Sequence, residues 1–196
     1  MNARLPDPTT DWTARASAID WAAATEGLTA EGAAILPALL SAGECQALAG
    51  LYPDGARFRS RVVMARHGEY QYFSYPLPPL VAGLREALYP HLYPMANRWN
   101  QVMGIAVQYP AVHADFIARC HAAGQLRPTP LLLQYQAGDY NCLHQDLYGE
   151  HVFPLQVAIL LSEPGRDFTG GEFVLTEQRP RMQSRAEVVP LRQGDA

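Results

Sequence analysis

A chain of 196 residues with 48% hydrophobic and 17% charged residues has the composition of a folded domain with a sizeable core, which excludes a disordered chain. The formal net charge of -4 and pI near 5.8 argue against a dedicated nucleic-acid binder, which shows a basic footprint. Cys45, Cys120 and Cys142 are odd in number and widely spaced, so they form no disulfide framework and fit a reducing cytoplasm. The start MNARLPDPTTDW lacks a signal-peptide apolar region, and no apolar run reaches membrane-span length. The expectation is a single cytoplasmic domain over 1–196, helix-rich over 1–125 and strand-rich over 126–196.

Taken in order, residues 1–11 read as a loose lead-in. Residues 12–26 carry Trp12, Ile19 and Trp21 and read as one amphipathic helix. Gly32–Leu39 is a short apolar segment expected as the first strand. Ser41 and Glu44 stand three apart and match a capping box, so a helix is expected at about 42–51. Cys45 sits on its inner face as core filler, since nothing adjacent would activate a thiol. Residues 56–75 alternate and then turn aromatic. Arg57, Arg59 and Arg61 share one strand face there, either a solvated face or an anion patch, while Tyr70, Tyr72, Phe73 and Tyr75 are core, lid or cleft aromatics. Pro78–Met103 has helical spacing of Leu80, Leu84, Leu88, Leu92, Met95 and Trp99, with Pro90 and Pro94 expected to kink or split it. His91 reads as surface or cap on that helix, and a third helix is expected over 110–123.

The remaining stretch, 131–175, carries the chemistry. An apolar run at Leu131–Leu133 and Tyr135 leads into turn residues Gly138 and Asp139. If 140–146 is a strand, His144 and Asp146 project to one side, because side chains two apart share a face. They then supply two corners of the two-histidine, one-carboxylate triad that holds non-haem Fe(II). His-x-Asp alone is weak: chance yields roughly 0.3 such pairs in a chain with this many His and Asp. A second pair, His113 and Asp115, lies in an Ala-rich stretch that reads as helix, where residues two apart diverge, so it is expected on a solvated helix surface. After the first pair come a buried strand at Leu155–Leu161, the Gly170-Gly171 turn, a strand from Glu172, a polar hairpin loop at 177–185 and a strand at Ala186–Leu191. His151 reads as a surface or substrate contact, and Cys142 as a filler of the pocket wall on the same face as His144. Helices beside an antiparallel sheet give an α+β class.

The ordered set Tyr135-x-x-Gly138-x-Tyr140-x-x-x-His144-x-Asp146, then LLSEP, Gly170-Gly171-Glu172-Phe173 and Gly194-Asp195-Ala196, resembles the 2-oxoglutarate- and Fe(II)-dependent dioxygenase superfamily, most closely its prolyl-4-hydroxylase-like branch. The resemblance spans about residues 130–196, with a softer echo at 32–48. It implies a double-stranded β-helix, or jelly roll, with the N-terminal helices packed on one sheet. It also implies Fe(II) held by His144 and Asp146, 2-oxoglutarate as cosubstrate, and Tyr135 near cosubstrate or iron. The family's second histidine ligand and its 2-oxoglutarate-binding arginine follow Gly-Asp-Ala and have no matching position before Ala196, so the last strands are expected to be missing from this sequence. The cosubstrate tyrosine that prolyl hydroxylases carry after His-x-Asp is also unmatched, Leu160 standing in that region.

The function expected first is hydroxylation of a protein side chain or small molecule. The alternative is oxidative demethylation of alkylated nucleic acid, to which the Tyr135–His144 step and the His-Gln-Asp triplet are also similar, with the arginine stripe as a phosphate holder. A non-catalytic jelly-roll binding module is the third reading.

Overall fold

In the computed structural model, residues 10–64, 67–145, 151–177, 181 and 183–196 are described. The class is α+β: among the described residues there are five α-helices, a three-stranded antiparallel sheet and a separate two-stranded one. The N-terminal stretch forms two short helices rather than one. Helices α1 (Trp12–Ser17) and α2 (Trp21–Ala30) each begin on an aspartate whose carboxylate accepts a first-turn amide, Asp11 from Ala14 and Asp20 from Ala23. The second cap interrupts the pattern, because a side chain bonded to the start of a new helix cannot continue the old one.

Gly32–Leu39 forms no regular strand, yet Leu36 exchanges two backbone hydrogen bonds with Ala196, at 2.8 and 3.1 Å. Helix α3 (Ala42–Ala49) starts on the expected capping box. Ser41 Oγ accepts the Glu44 amide, and the Glu44 carboxylate accepts the Ser41 amide at 2.8 Å. The same carboxylate takes Arg15 Nη1 of α1 at 2.8 Å, so one side chain caps α3 and ties it to α1.

After a 3-10 turn at Gly55–Arg57, strands β1 (Phe58–Val63), β2 (Glu69–Phe73) and β3 (Leu131–Gln134) form the larger sheet with β2 in the middle. Between β2 and β3 the chain makes helices α4 (Pro79–Val102) and α5 (His113–Ala122). Helix α4 runs on through both prolines. Pro90 and Pro94 lie on its exposed side, as do Glu86 and Arg98, so the carbonyls that lose an amide donor face solvent. The opposite side buries Leu80, Leu84 and Leu88 with Phe73 and Leu132 of the sheet and with Leu40, Cys45 and Leu48 around α3. The expectation of helices packed on one face of a sheet is met here. Gly83 is the close approach between α1 and α4: a Cβ there would stand 2.3 Å from Trp12 Cδ1.

A second cluster joins α4 and α5 through Tyr89, Ala96, Tyr109 and Phe116, with Phe153 against it. His113 belongs to this cluster's edge rather than to a solvated surface. Its ring centroid is 5.1 Å from that of Tyr89, and burial, followed by the nearby Arg85, lowers its pKa against the opposing pull of Glu86.

The Leu155–Leu161 run forms no regular strand. Its apolar side chains are still used, Leu155 against the aromatic cluster and Ile159 and Leu161 against the main core. Its backbone meets the last residues instead, Leu160 exchanging hydrogen bonds with Gly194 and Asp195 at 2.8 and 3.1 Å. Strands β4 (Phe173–Glu177) and β5 (Arg185–Val189) form the expected hairpin, exposed along most of both strands.

Candidate active site

The loop after β3 carries the sequence-predicted residues. Gly138 (φ +89°) turns the chain, and the turn is closed by the Gln136 amide on Asp139 Oδ2 at 2.8 Å and the Asp139 amide on the Gln136 carbonyl at 2.9 Å. Residues 140–145 are irregular rather than the expected strand. An extended segment needs a ladder partner for its amides, and among the described residues β3 leaves its neighbour, β2, at Gln134. His144 therefore stands on an exposed loop. Asp146 lies outside the described residues.

The His144 ring is nonetheless oriented. Its Nδ1 lies 2.7 Å from the Cys142 carbonyl oxygen. A carbonyl only accepts, so Nδ1 carries a proton and donates it there. A histidine that ligates metal through Nε2 commonly bonds its Nδ1–H to a backbone carbonyl in this way. This observation fits a metal at His144. Among the described residues no group of three His, Cys, Asp or Glu side chains converges.

Tyr135 begins the loop. Its ring lies against Gly68 of the β1–β2 turn, where a Cβ would stand 2.6 Å from Tyr135 Cδ1, and Gly68 has φ +75°. Partial burial raises the Tyr135 pKa, while a hydrogen bond with Asn141 pulls it down and Asp139 pushes it up. Beside it the β1–β2 turn reaches the loop again. His67 meets Tyr140 edge-to-face with centroids 4.7 Å apart, and His67 Nε2 lies 3.8 Å from Cys142 Sγ. Cys142 is thus a contact to the neighbouring hairpin rather than a wall filler. Nothing in the spacing marks His67, because the two residues are 75 positions apart. A shallow pocket of about 200 Å³ opens next to these contacts, lined by Val63, Met64, Gly68, Glu69, Gln134, Gln136 and Asp139; His144 is not in its lining.

The arginine stripe is largely neutralised. Arg57 pairs with Asp54 at 2.9 Å and Arg61 with Glu69 at 2.5 Å. Arg59 donates to the Pro128 carbonyl and lies over the Tyr72 ring, 4.3 Å from its centroid. His151 engages Gln125 through its backbone, its amide donating at 2.9 Å, and His91 stacks on Trp21 at 4.5 Å. Cys45 is fully buried, and burial, with Glu44 beside it, pushes its thiol up to about 11, as befits core filler.

Comparisons with known proteins place this site in context. Two uncharacterized proteins, from two strains of Mycobacterium tuberculosis, are each 53% identical to the chain over 122 residues, covering 62% of the chain and 52% of the relative. The chain thus spans about half the length of the curated relatives it matches. No solved structure matches it. A family model, Oxygenase-NA, matches residues 68–196, from the β1–β2 turn through the His144 loop to the last residue. That family is an oxygenase one described as acting on damaged DNA, and it lends no support to the prolyl-4-hydroxylase-like branch. By this match over most of its length, the chain belongs to the Oxygenase-NA family, oxygenases described as catalysing oxidative methylation of damaged DNA.

Proposed function

We propose that the chain is the core of a 2-oxoglutarate- and Fe(II)-dependent oxygenase whose substrate is damaged nucleic acid. The family match over 68–196 supports the substrate class. The tautomer of His144, fixed by the Cys142 carbonyl, supports the metal. His144 and Asp146 would hold Fe(II), and Tyr135 would border the cosubstrate. Bound Fe(II) with 2-oxoglutarate supplies the activation of dioxygen, a reaction no side chain performs. The chain's own part is to hold the imidazole in its metal-binding form. The two sheets would belong to one jelly roll, a reading supported by helices on one face of β1–β3 and by the exposed β4–β5 hairpin.

The test uses the full-length protein under anaerobic conditions. Fe(II) and 2-oxoglutarate together are expected to give a weak visible charge-transfer band, lost in His144→Ala. No band in the wild type would overturn the iron reading and favour a non-catalytic binding module.

A second reading, hydroxylation of a protein side chain or small molecule, is favoured by the carboxylate partners that neutralise Arg57 and Arg61. Binding to single-stranded DNA separates the two. A nucleic-acid enzyme loses affinity steeply as salt rises, because phosphate contacts release counterions. An absence of DNA binding at low salt would favour the second reading.

A further inference from the structure

The β1–β2 turn makes three successive contacts with the loop that bears His144. Gly68 receives the Tyr135 ring, and the lack of a Cβ allows that approach. The His67 ring meets Tyr140 edge-to-face at 4.7 Å, with planes 79° apart. His67 Nε2 then lies 3.8 Å from Cys142 Sγ. The turn itself is held, with the His67 amide on the Met64 carbonyl at 2.9 Å and the Met64 amide on the Gly68 carbonyl at 3.1 Å. An irregular loop has no ladder to fix its peptide planes, so side-chain contacts from a neighbouring element set them. Cys142 is where two of these effects meet: its sulfur touches His67, and its carbonyl accepts the His144 Nδ1–H at 2.7 Å.

We propose that His67 is a positioning residue for His144, acting through Cys142 to hold the imidazole with its Nδ1–H on the Cys142 carbonyl. The inference rests on reading His144 as a metal ligand for its use, but the orientation it describes exists without metal. It assigns a role to the β1–β2 turn. Partners that orient a ligand in this way typically govern metal affinity by 10–100-fold.

The experiment compares the full-length wild type with His67→Ala, His67→Gln, Cys142→Ser and His144→Ala. Two quantities are read: the His144 tautomer, from long-range proton–nitrogen spectra of metal-free protein labelled at histidine, and the affinity for Co(II), from its visible absorption. Unfolding by urea is followed in parallel, and His67→Gln, which keeps a donor at similar reach, serves if the alanine variant is poorly folded. The expected result is a mixed His144 tautomer and about tenfold weaker Co(II) binding in His67→Ala, with both largely restored in His67→Gln. An unchanged Nδ1–H tautomer in a folded His67→Ala protein would overturn the inference. A wild type that takes up no Co(II) would overturn the metal reading alone, and the tautomer comparison would still decide the role of His67.

Discussion

Glu44 shows how much one side chain can carry. Burial raises its pKa, but the hydrogen bond from Arg15 and those from the Ser41 amide and hydroxyl outweigh burial and leave it lowered. A group with a depressed folded pKa contributes stability above its unfolded value and loses it as pH falls through the folded one. For Glu44 the loss begins below about 4.5. His113 acts in the same direction at higher pH, since its folded pKa is also depressed, from 6.5, by its burial near Tyr89. Stability measured by urea unfolding is therefore expected to fall in two stages on acidification, the first beginning below about pH 6.5. His113→Gln should flatten the first stage and leave the second. Glu44→Gln should cost about 1–2 kcal/mol at neutral pH, because it weakens both the cap and the tie to α1. An unchanged acid profile in both variants would contradict these assignments.

Among the elements, α4 is the test of what a proline costs inside a helix. Pro90 and Pro94 are four apart on the solvent side, so each missing amide leaves an acceptor that water can reach. The helix survives because its other side is held by Leu80, Leu84 and Leu88 in the main core. Proline still disfavours a helix interior by about 3 kcal/mol relative to alanine, partly offset by the stiffer unfolded chain. Pro90→Ala is expected to stabilise the protein by about 1–2 kcal/mol, read as a higher urea midpoint with an unchanged slope. A lower midpoint would mean that the ring makes a packing contribution its exposure does not suggest.

For the whole molecule, the last three residues matter out of proportion to their number. Residues 194–196 lie between the segment 36–40 and Leu160, bonded to both: the Leu40 amide donates to the Gly194 carbonyl at 3.0 Å, and the Ala38 amide to Asp195 Oδ1 at 2.8 Å. Gly194 has φ +87°, and a Cβ there would stand 2.0 Å from the Leu40 carbonyl oxygen. Gly194→Ala combines backbone strain with a backbone collision and should cost about 3 kcal/mol, seen as a drop in thermal midpoint of roughly 6–12 °C for a domain of this size. A substitution tolerated without loss would show that the clasp opens freely. The clasp joins the first apolar segment to the segment that follows the His144 loop, so such a loss should also weaken metal binding at His144 if the iron reading holds.

Much was legible from local chemistry. The Ser41–Glu44 box, the α4 periodicity, the β4–β5 hairpin and the helical setting of His113 and Asp115 are set by residues within a few positions of each other. The sequence by itself also determined the kinship to an oxygenase, because the ordered motifs around His144 resemble one, and the family match bears that out at the level of an oxygenase family. Other features were not legible because their causes are distant. Gly32–Leu39 and Leu155–Leu161 have the composition of strands, but their backbone partners are residues 194–196 at the far end of the chain. The 140–145 segment has the alternation of a strand, but no strand among the described residues bonds it. Only the tertiary structure brought His67 to Cys142 and turned the Cys142 carbonyl toward His144, since a contact between residues 75 positions apart leaves no period in the sequence to read.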